Sequence, residues 1–325
     1  MPIIPSSDYR RPKLLFNRHL ETIIPGITRK VKDLPIFETI RIDTPDQDFL
    51  DLDWYRADSD RLLILSHGLE GDSHRPYIEG MVKKFHGEGW NVIAWNYRGC
   101  SGEINNTPRF YHSGATQDLT TMVEYALTLG IPNIALGGFS LGGNLTLKYL
   151  GEKRRDSRIK SAFAFSVPID LKGCCHEIDK PHNFVYCRRF LKSLKLKGMA
   201  KNKKLPGSVD IDKLMKVENM YQFDNVVTAP LHGFESANDY YAKCSARNFI
   251  EGIEVPTLLV NALNDPFLSE SCYDQTKFKT SKNVYFEMPK FGGHVGFSSS
   301  GSNGTFWSED RAFDFINQQA LRIDS

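Results

Sequence analysis

The chain has 325 residues, with 41 basic and 39 acidic side chains and a formal net charge of +2. That length can bury a large core without disulfide or metal staples, and no apolar stretch approaches the roughly 20 residues that span a bilayer. Composition excludes collagenous, coiled-coil, disordered and transmembrane classes, and the near-neutral charge argues against a general nucleic-acid binder.

The first residues, Met1-Pro2-Ile3-Ile4-Pro5, offer neither a basic n-region nor an apolar h-region, so no secretory signal is expected. Phe37–Ile42 and Leu50–Tyr55 have the pattern of two strands joined through Thr44-Pro45-Asp46. Leu62–Leu65 is a continuous aliphatic run, the mark of a strand covered on both faces. Tyr77, Ile78, Met81, Val82 and Phe85 then fall on one helical face, which stops at Gly87 to Gly89. Asn91–Asn96 is the next strand, and Leu119, Met122, Val123, Ala126 and Leu127 give a second amphipathic helix. Ile134–Phe139 is a strand running straight into Ser140 and a helix that reaches Gly151. Ser161–Val167, Pro256–Ala262 and Val284–Met288 complete the strands, and Phe306–Leu321 closes the chain as a helix. Alternation on this scale predicts an α/β fold, a mostly parallel twisted sheet with helices on both faces.

One region breaks the rhythm. From about Asp170 to Ile253 no buried-strand run occurs, and Lys172 to Lys216 holds 12 Lys or Arg against 4 Asp or Glu. The expected organisation is a core of 1–169 with an N-terminal extension 1–35, a helical cap insertion 170–253, and a second core part 254–325. Within the cap, Phe190, Leu191, Leu194, Leu196 and Met199 intersperse the cations of 188–204. A solvated helix face, a peripheral membrane contact and a contact with an acidic ligand are all open readings of that stretch.

The most informative stretch is Gly138-Phe139-Ser140-Leu141-Gly142, a G-x-S-x-G pattern between an apolar strand and a helix. A serine on a sharp strand-to-helix turn is held in strained backbone geometry with its hydroxyl exposed. The helix that follows aims free N–H groups at developing negative charge. Such a nucleophile needs a base, and the base needs an orienting acid. Asp265, after the strand ending at Ala262, and His294, after the strand ending at Met288, supply them in the chain order this architecture uses. Asp170 is the rival acid. The N–H groups of Leu141 and Leu69 are the expected oxyanion donors, with His67 ordering the Leu69 loop. The spacing of His67 and Asp72 fits an acyltransferase pattern that chance also produces, so it decides nothing.

Asn96–Gly102 and Tyr111–Gly114 are expected to hold the floor of the site. No nucleotide-binding glycine motif follows a strand, and the nine histidines form no metal-ligand spacing, so neither cofactor nor metal is expected. The six cysteines, at 100, 174, 175, 187, 244 and 272, form no C-x-x-C pair. They are expected as reduced thiols in a cytoplasmic protein.

Together these residues resemble the α/β-hydrolase superfamily, and more closely its YheT-like branch. Asn17-Arg18-His19-Leu20-Glu21-Thr22-Ile23 is similar to the branch's N-x-H-L-Q-T-I element, with Glu21 in place of Gln. His67–Gly71, Asn96–Gly102, Tyr111–Gly114, Gly138–Asn144 and Lys148–Gly151 also resemble branch signatures, and the likeness spans most of residues 14–320. Arg75 departs from the Ser frequent there. The resemblance implies triad roles for Ser140, Asp265 and His294 and a serine esterase acting on short- to medium-chain acyl esters, a small-molecule substrate. An acyltransferase using the same acyl-enzyme, or a non-catalytic binding protein on this fold, are the alternatives.

Overall fold

The computed structural model describes residues 3–298 and 304–323. Short apolar runs form β1 (Ile3–Ile4), β2 (Glu38–Asp43), β3 (Phe49–Tyr55), β4 (Arg61–Ser66), β5 (Asn91–Asn96), β6 (Asn133–Phe139), β7 (Ile159–Phe165), β8 (Thr257–Val260) and β9 (Val284–Glu287). Among the described residues they make one sheet in the order β1-β9-β8-β7-β6-β4-β5-β3-β2. β2–β3 and β3–β5 pair antiparallel and every other neighbour parallel.

Alternation along β4 splits the core into two layers. Leu62 and Ile64 pack with α3 (Thr116–Thr128) and α4 (Leu141–Glu152), through residues such as Met122 and Leu145. Leu63 and Leu65 pack with α2 (Pro76–Gly87) and the closing helix Trp307–Ile323, through Met81, Phe85 and Phe315. Each such buried aliphatic side chain contributes roughly 2 kcal/mol. β4 lies between β5 and β6, so the chain leaves it in one direction and returns on its other side. The crevice at the carboxyl ends of the strands around this switch is where such sheets bind ligands.

β9 ends one residue earlier than the sequence predicts, at Glu287, and two strands end two residues early. β7 stops at Phe165 because Ser166 turns to φ 53°, where its hydroxyl accepts the Val295 N–H at 2.8 Å. β8 stops at Val260, since the Asn261 amide is used instead to bracket Val167, accepting its N–H at 2.7 Å and donating to its carbonyl at 3.1 Å. Side-chain hydrogen bonds are thus added to the last backbone bonds, Ser166 N–H to the Val260 carbonyl at 2.8 Å and Asn261 N–H to that of Glu287 at 3.1 Å, where the sheet meets the crevice.

Two N-terminal elements are absent from the sequence reading: β1, and the helix α1 (Arg18–Thr28). Asn17 caps α1 by accepting from the N–H groups of His19 and Leu20. Between β7 and β8 the chain is helical, with α5 (Leu171–Ile178), α6 (Phe184–Lys204), α7 (Ile211–Lys216) and short helices at Met220–Phe223, Ala229–Leu231 and Ala237–Cys244. They bury a cluster of their own around Leu191, Leu194, Leu214, Phe223 and Tyr241. Polar ties bind them to the rest: Lys197 to Glu70 at 2.7 Å, Asn183 to the Pro266 carbonyl at 2.7 Å, and Lys201 to the Thr107 carbonyl at 2.7 Å and the Asn105 side chain. Among the described residues no helix is long and apolar enough to cross a membrane.

Candidate active site

Ser140 stands between β6 and α4 at φ 52°, ψ −117°, a conformation an L-residue holds only when its surroundings over-determine it. The glycines beside it are sterically required. A Cβ on Gly138 would lie 2.4 Å from the Gly142 carbonyl oxygen, and one on Gly142 would lie 2.4 Å from that of Ser66. Backbone passes so closely here that no side chain fits.

Asp265 follows β8 and His294 follows β9, and the fold brings both to Ser140. The Ser140 hydroxyl lies 2.9 Å from His294 Nε2, and His294 Nδ1 lies 2.8 Å from Asp265 Oδ2. Asp265 is buried and also accepts the Phe267 N–H at 2.9 Å. The Phe267 ring lies 4.3 Å from the imidazole, closing one side of it. With a carboxylate on Nδ1, that nitrogen carries the proton and Nε2 faces the serine as an acceptor. Asp170, the rival acid, is elsewhere: it caps α5, accepts from Ser271 at 2.6 Å and pairs with Arg247 at 2.8 Å.

Leu69 and Leu141 both border the cavity that opens at Ser140. Neither N–H has an acceptor among the described residues, whereas the Gly68 N–H is taken by the Tyr77 hydroxyl at 3.0 Å. His67 is fully buried beneath this loop. Its Nδ1 lies 2.8 Å from the Gly68 carbonyl, and its Nε2 accepts the Tyr97 N–H at 3.3 Å. Burial pushes its pKa down to about 4, so the ring is neutral.

Glu70 fastens the same loop to α6. It accepts from the Tyr111 hydroxyl at 2.6 Å, from Lys197 at 2.7 Å and from Ser193. Burial pushes its carboxyl up, but the Lys197 ammonium and these hydrogen bonds more than offset this and hold it below the usual range. Arg75 donates to the Glu70 carbonyl at 2.8 Å, bracing the loop from outside.

Two cavities meet at Ser140. One runs under the helical segment between walls that include Leu171, Leu194, Met220, Phe223 and Val227. Its polar lining includes His112, His232 and Asp224. Burial pushes the Asp224 carboxyl up to about 6 although Thr228 and Tyr241 each donate to it at 2.6 Å, and burial also drives His112 well below its usual value. The other is a groove between α1 and α6, bordered by Ile23, Ile27, Arg75, Tyr186, Arg189 and His294.

The basic stretch does not present its apolar residues outward as one face. Leu191 and Leu194 are buried, Lys201 is enclosed, and Lys197 serves Glu70. Phe184, Val185, Arg188, Arg189 and Lys192 make up the exposed end of α6. All six cysteines are free thiols, with Cys174 Sγ 3.3 Å from Cys272 Sγ. Among the described residues no group of three or more His, Cys, Asp or Glu is arranged to hold a metal ion.

Residues that the sequence reading gave no role also support the site. Glu21 and Thr22 of α1, together with Asn264, bind the loop that carries His294. The available signal was Leu20, Ile23, Ile24 and Ile27 at helical spacing behind Asn17.

A serine on a strand-to-helix elbow of this sheet, hydrogen-bonded to a histidine and through it to an aspartate that follow later strands, is the arrangement of the α/β-hydrolase fold. The alpha/beta hydrolase fold family model matches residues 61–203. The candidate esterase YheT of Escherichia coli (strain K12) is 34% identical over 309 residues, which is 92% of this chain and 90% of that protein. Phospholipase ABHD3 of Bos taurus is 28% identical over 91% of this chain and 74% of its own length. Among solved structures, the Pyrococcus furiosus esterase Pf2001 superposes with a TM-score of 0.58 at 17% identity, over 90% of this chain and 96% of that one. The chain belongs to the α/β-hydrolase superfamily, in its YheT-like branch, and is a hydrolase of that type.

Proposed function

We propose that this chain is a serine carboxylic-ester hydrolase acting on short- to medium-chain acyl esters. The observation that carries the reading is the hydrogen-bonded series from Ser140 through His294 to Asp265, at 2.9 and 2.8 Å, opening on a cavity with apolar walls. The Ser140 hydroxyl oxygen attacks the ester carbonyl while His294 Nε2 takes its proton. Asp265 keeps the proton on Nδ1 and stabilises the imidazolium. The Leu69 and Leu141 N–H groups hold the oxyanion. The imidazolium then protonates the departing alcohol, and water, deprotonated by the same histidine, releases the acid from Ser140.

The acyl chain occupies the cavity with apolar walls, and the alcohol leaves through the groove between α1 and α6. The helical segment 170–253 is the cap that roofs the acyl chain. Its exposed α6 end, basic and carrying Phe184 and Val185, is the surface that meets anionic lipid.

The test is turnover of p-nitrophenyl esters of graded chain length by the wild-type protein and Ser140→Ala. A loss of ~10³-fold or more is expected, and a variant within tenfold of wild type overturns the assignment. Added ethanol separates hydrolysis from transfer: ester formation outrunning acid release would make the protein an acyltransferase. A wild-type chain that no fluorophosphonate labels would be a binding protein.

A further inference from the structure

We propose that Glu21 is a positioning residue that sets the spacing between the Asp265 and His294 loops, an inference that rests on the serine-hydrolase reading above. Glu21 is 1% exposed, with its carboxylate between the two loops. Oε2 accepts the Gly292 N–H at 2.5 Å, and Oε1 accepts from the Asn264 side chain at 3.0 Å and from Arg11 at 3.3 Å. Asn264, the residue before Asp265, in turn accepts the Gly293 N–H at 3.1 Å. Thr22 accepts the His294 N–H at 2.9 Å. Three consecutive amides leading into the base are therefore fixed, each by a different side chain.

The loop lies against α1 with no spare room. A Cβ on Gly293 would come within 2.8 Å of the Thr22 backbone nitrogen, and one on Gly296 within 2.0 Å of the Glu21 carbonyl oxygen. Gly293 has φ 56°, which suits a residue without a side chain.

A carboxylate suits this position better than an amide. Both Glu21 oxygens accept, one from each loop, and charge-assisted bonds of this kind are about twice as strong as neutral ones. A glutamine would keep one acceptor and turn an NH2 toward a neighbouring donor. Asn264 cannot flip to meet it without giving up the Gly293 N–H. Glu21 touches neither substrate nor the reacting atoms, so its effect comes through the orientation of the imidazole.

The experiment measures the rate at which a fluorophosphonate labels Ser140, by intact mass, alongside kcat and KM for a p-nitrophenyl ester. Wild type, Glu21→Ala, Glu21→Gln and Thr22→Val are compared. Misplacing a catalytic group by an ångström costs ~10²-fold. Glu21→Ala should therefore lose about that much in labelling rate and kcat, with KM within about threefold. Glu21→Gln should recover to within about tenfold of wild type. Thr22→Val should lose about tenfold and carries the test if Glu21→Ala does not fold. Labelling of Glu21→Ala within threefold of wild type, or a change confined to KM, overturns the inference while leaving the serine reading intact. A wild-type chain that is not labelled overturns both.

Discussion

The two regions that meet at Ser140 are built by different physics. On the sheet side, the elbow and the loops after β8 and β9 are fixed by backbone contacts too close for a Cβ and by buried hydrogen bonds. On the other side, the helical segment presents interchangeable aliphatic and aromatic walls, Leu171, Leu194, Met220 and Phe223, around open space. Geometry of the first kind allows almost no substitution. Packing of the second kind tolerates volume-conserving exchange. On the proposed reading, the chemistry is thus held in the rigid half and the choice of substrate in the adaptable half.

The sharpest way to break that contrast is Gly142→Ala. The added methyl would lie 2.4 Å from one backbone carbonyl oxygen and 2.5 Å from the next. Overpacking against backbone costs several kcal/mol in addition to the displaced elbow. Ester turnover should fall by ~10³-fold or more, or the chain should not fold; turnover within tenfold of wild type would show that the elbow yields.

A second prediction concerns acid stability. The folded pKa of His67 is lowered by burial from 6.5 to about 4. Between those values the unfolded chain binds a proton that the folded chain does not, so the stability His67 allows is complete above pH 6.5 and is lost as pH falls to 4. The unfolding free energy of wild type minus that of His67→Asn should shrink by about 3 kcal/mol across that window. Asp224, raised to about 6, acts in the opposite sense in both proteins and cancels from the difference. Denaturant titrations at pH 7.5 and 4 measure it, and a constant difference would mean that His67 is not buried neutral.

Leu194→Trp sharpens the comparison from the adaptable side. It fills cavity volume without touching the triad, and each methylene excluded is worth roughly tenfold or more. Esters of eight or more acyl carbons should lose about 10²-fold in kcat/KM while acetate and butyrate esters stay within about threefold. A uniform loss would place the acyl chain elsewhere. The smallest effect is expected at the exposed end of α6. Each cation near an anionic surface is worth about 1 kcal/mol, so replacing Arg188 and Arg189 by Gln should weaken sedimentation with phosphatidylglycerol vesicles about 30-fold. No vesicle binding by wild type would remove the lipid contact.

The same contrast explains what the sequence made legible. The strands from β4 to β9 are short, apolar and bounded by turn residues, and Ser140, Asp265 and His294 each follow one of them. Position after a strand is a local property, readable without tertiary knowledge. α1 was hidden because Pro25-Gly26 interrupts its pattern. Pro25 has no N–H to donate to the Glu21 carbonyl, the group against which Gly296 packs, and only the fold reveals that contact. β1 is two residues long and exists because β9 lies beside it. The inward turn of Lys197 and Lys201 depends on Glu70 and Asn105, both distant in sequence, so a count of charges could not sort buried cations from exposed ones.

The partnership of Glu21 with Gly292 joins residues 271 positions apart. At 5–20 residues per second, a ribosome delivers the second roughly 15–50 s after the first. During synthesis the helix α1 is therefore made long before the loop it will hold. On the proposed reading, Ser140 leaves the ribosome well ahead of His294, and a nascent chain carries an unassisted serine until the loop after β9 closes on α1.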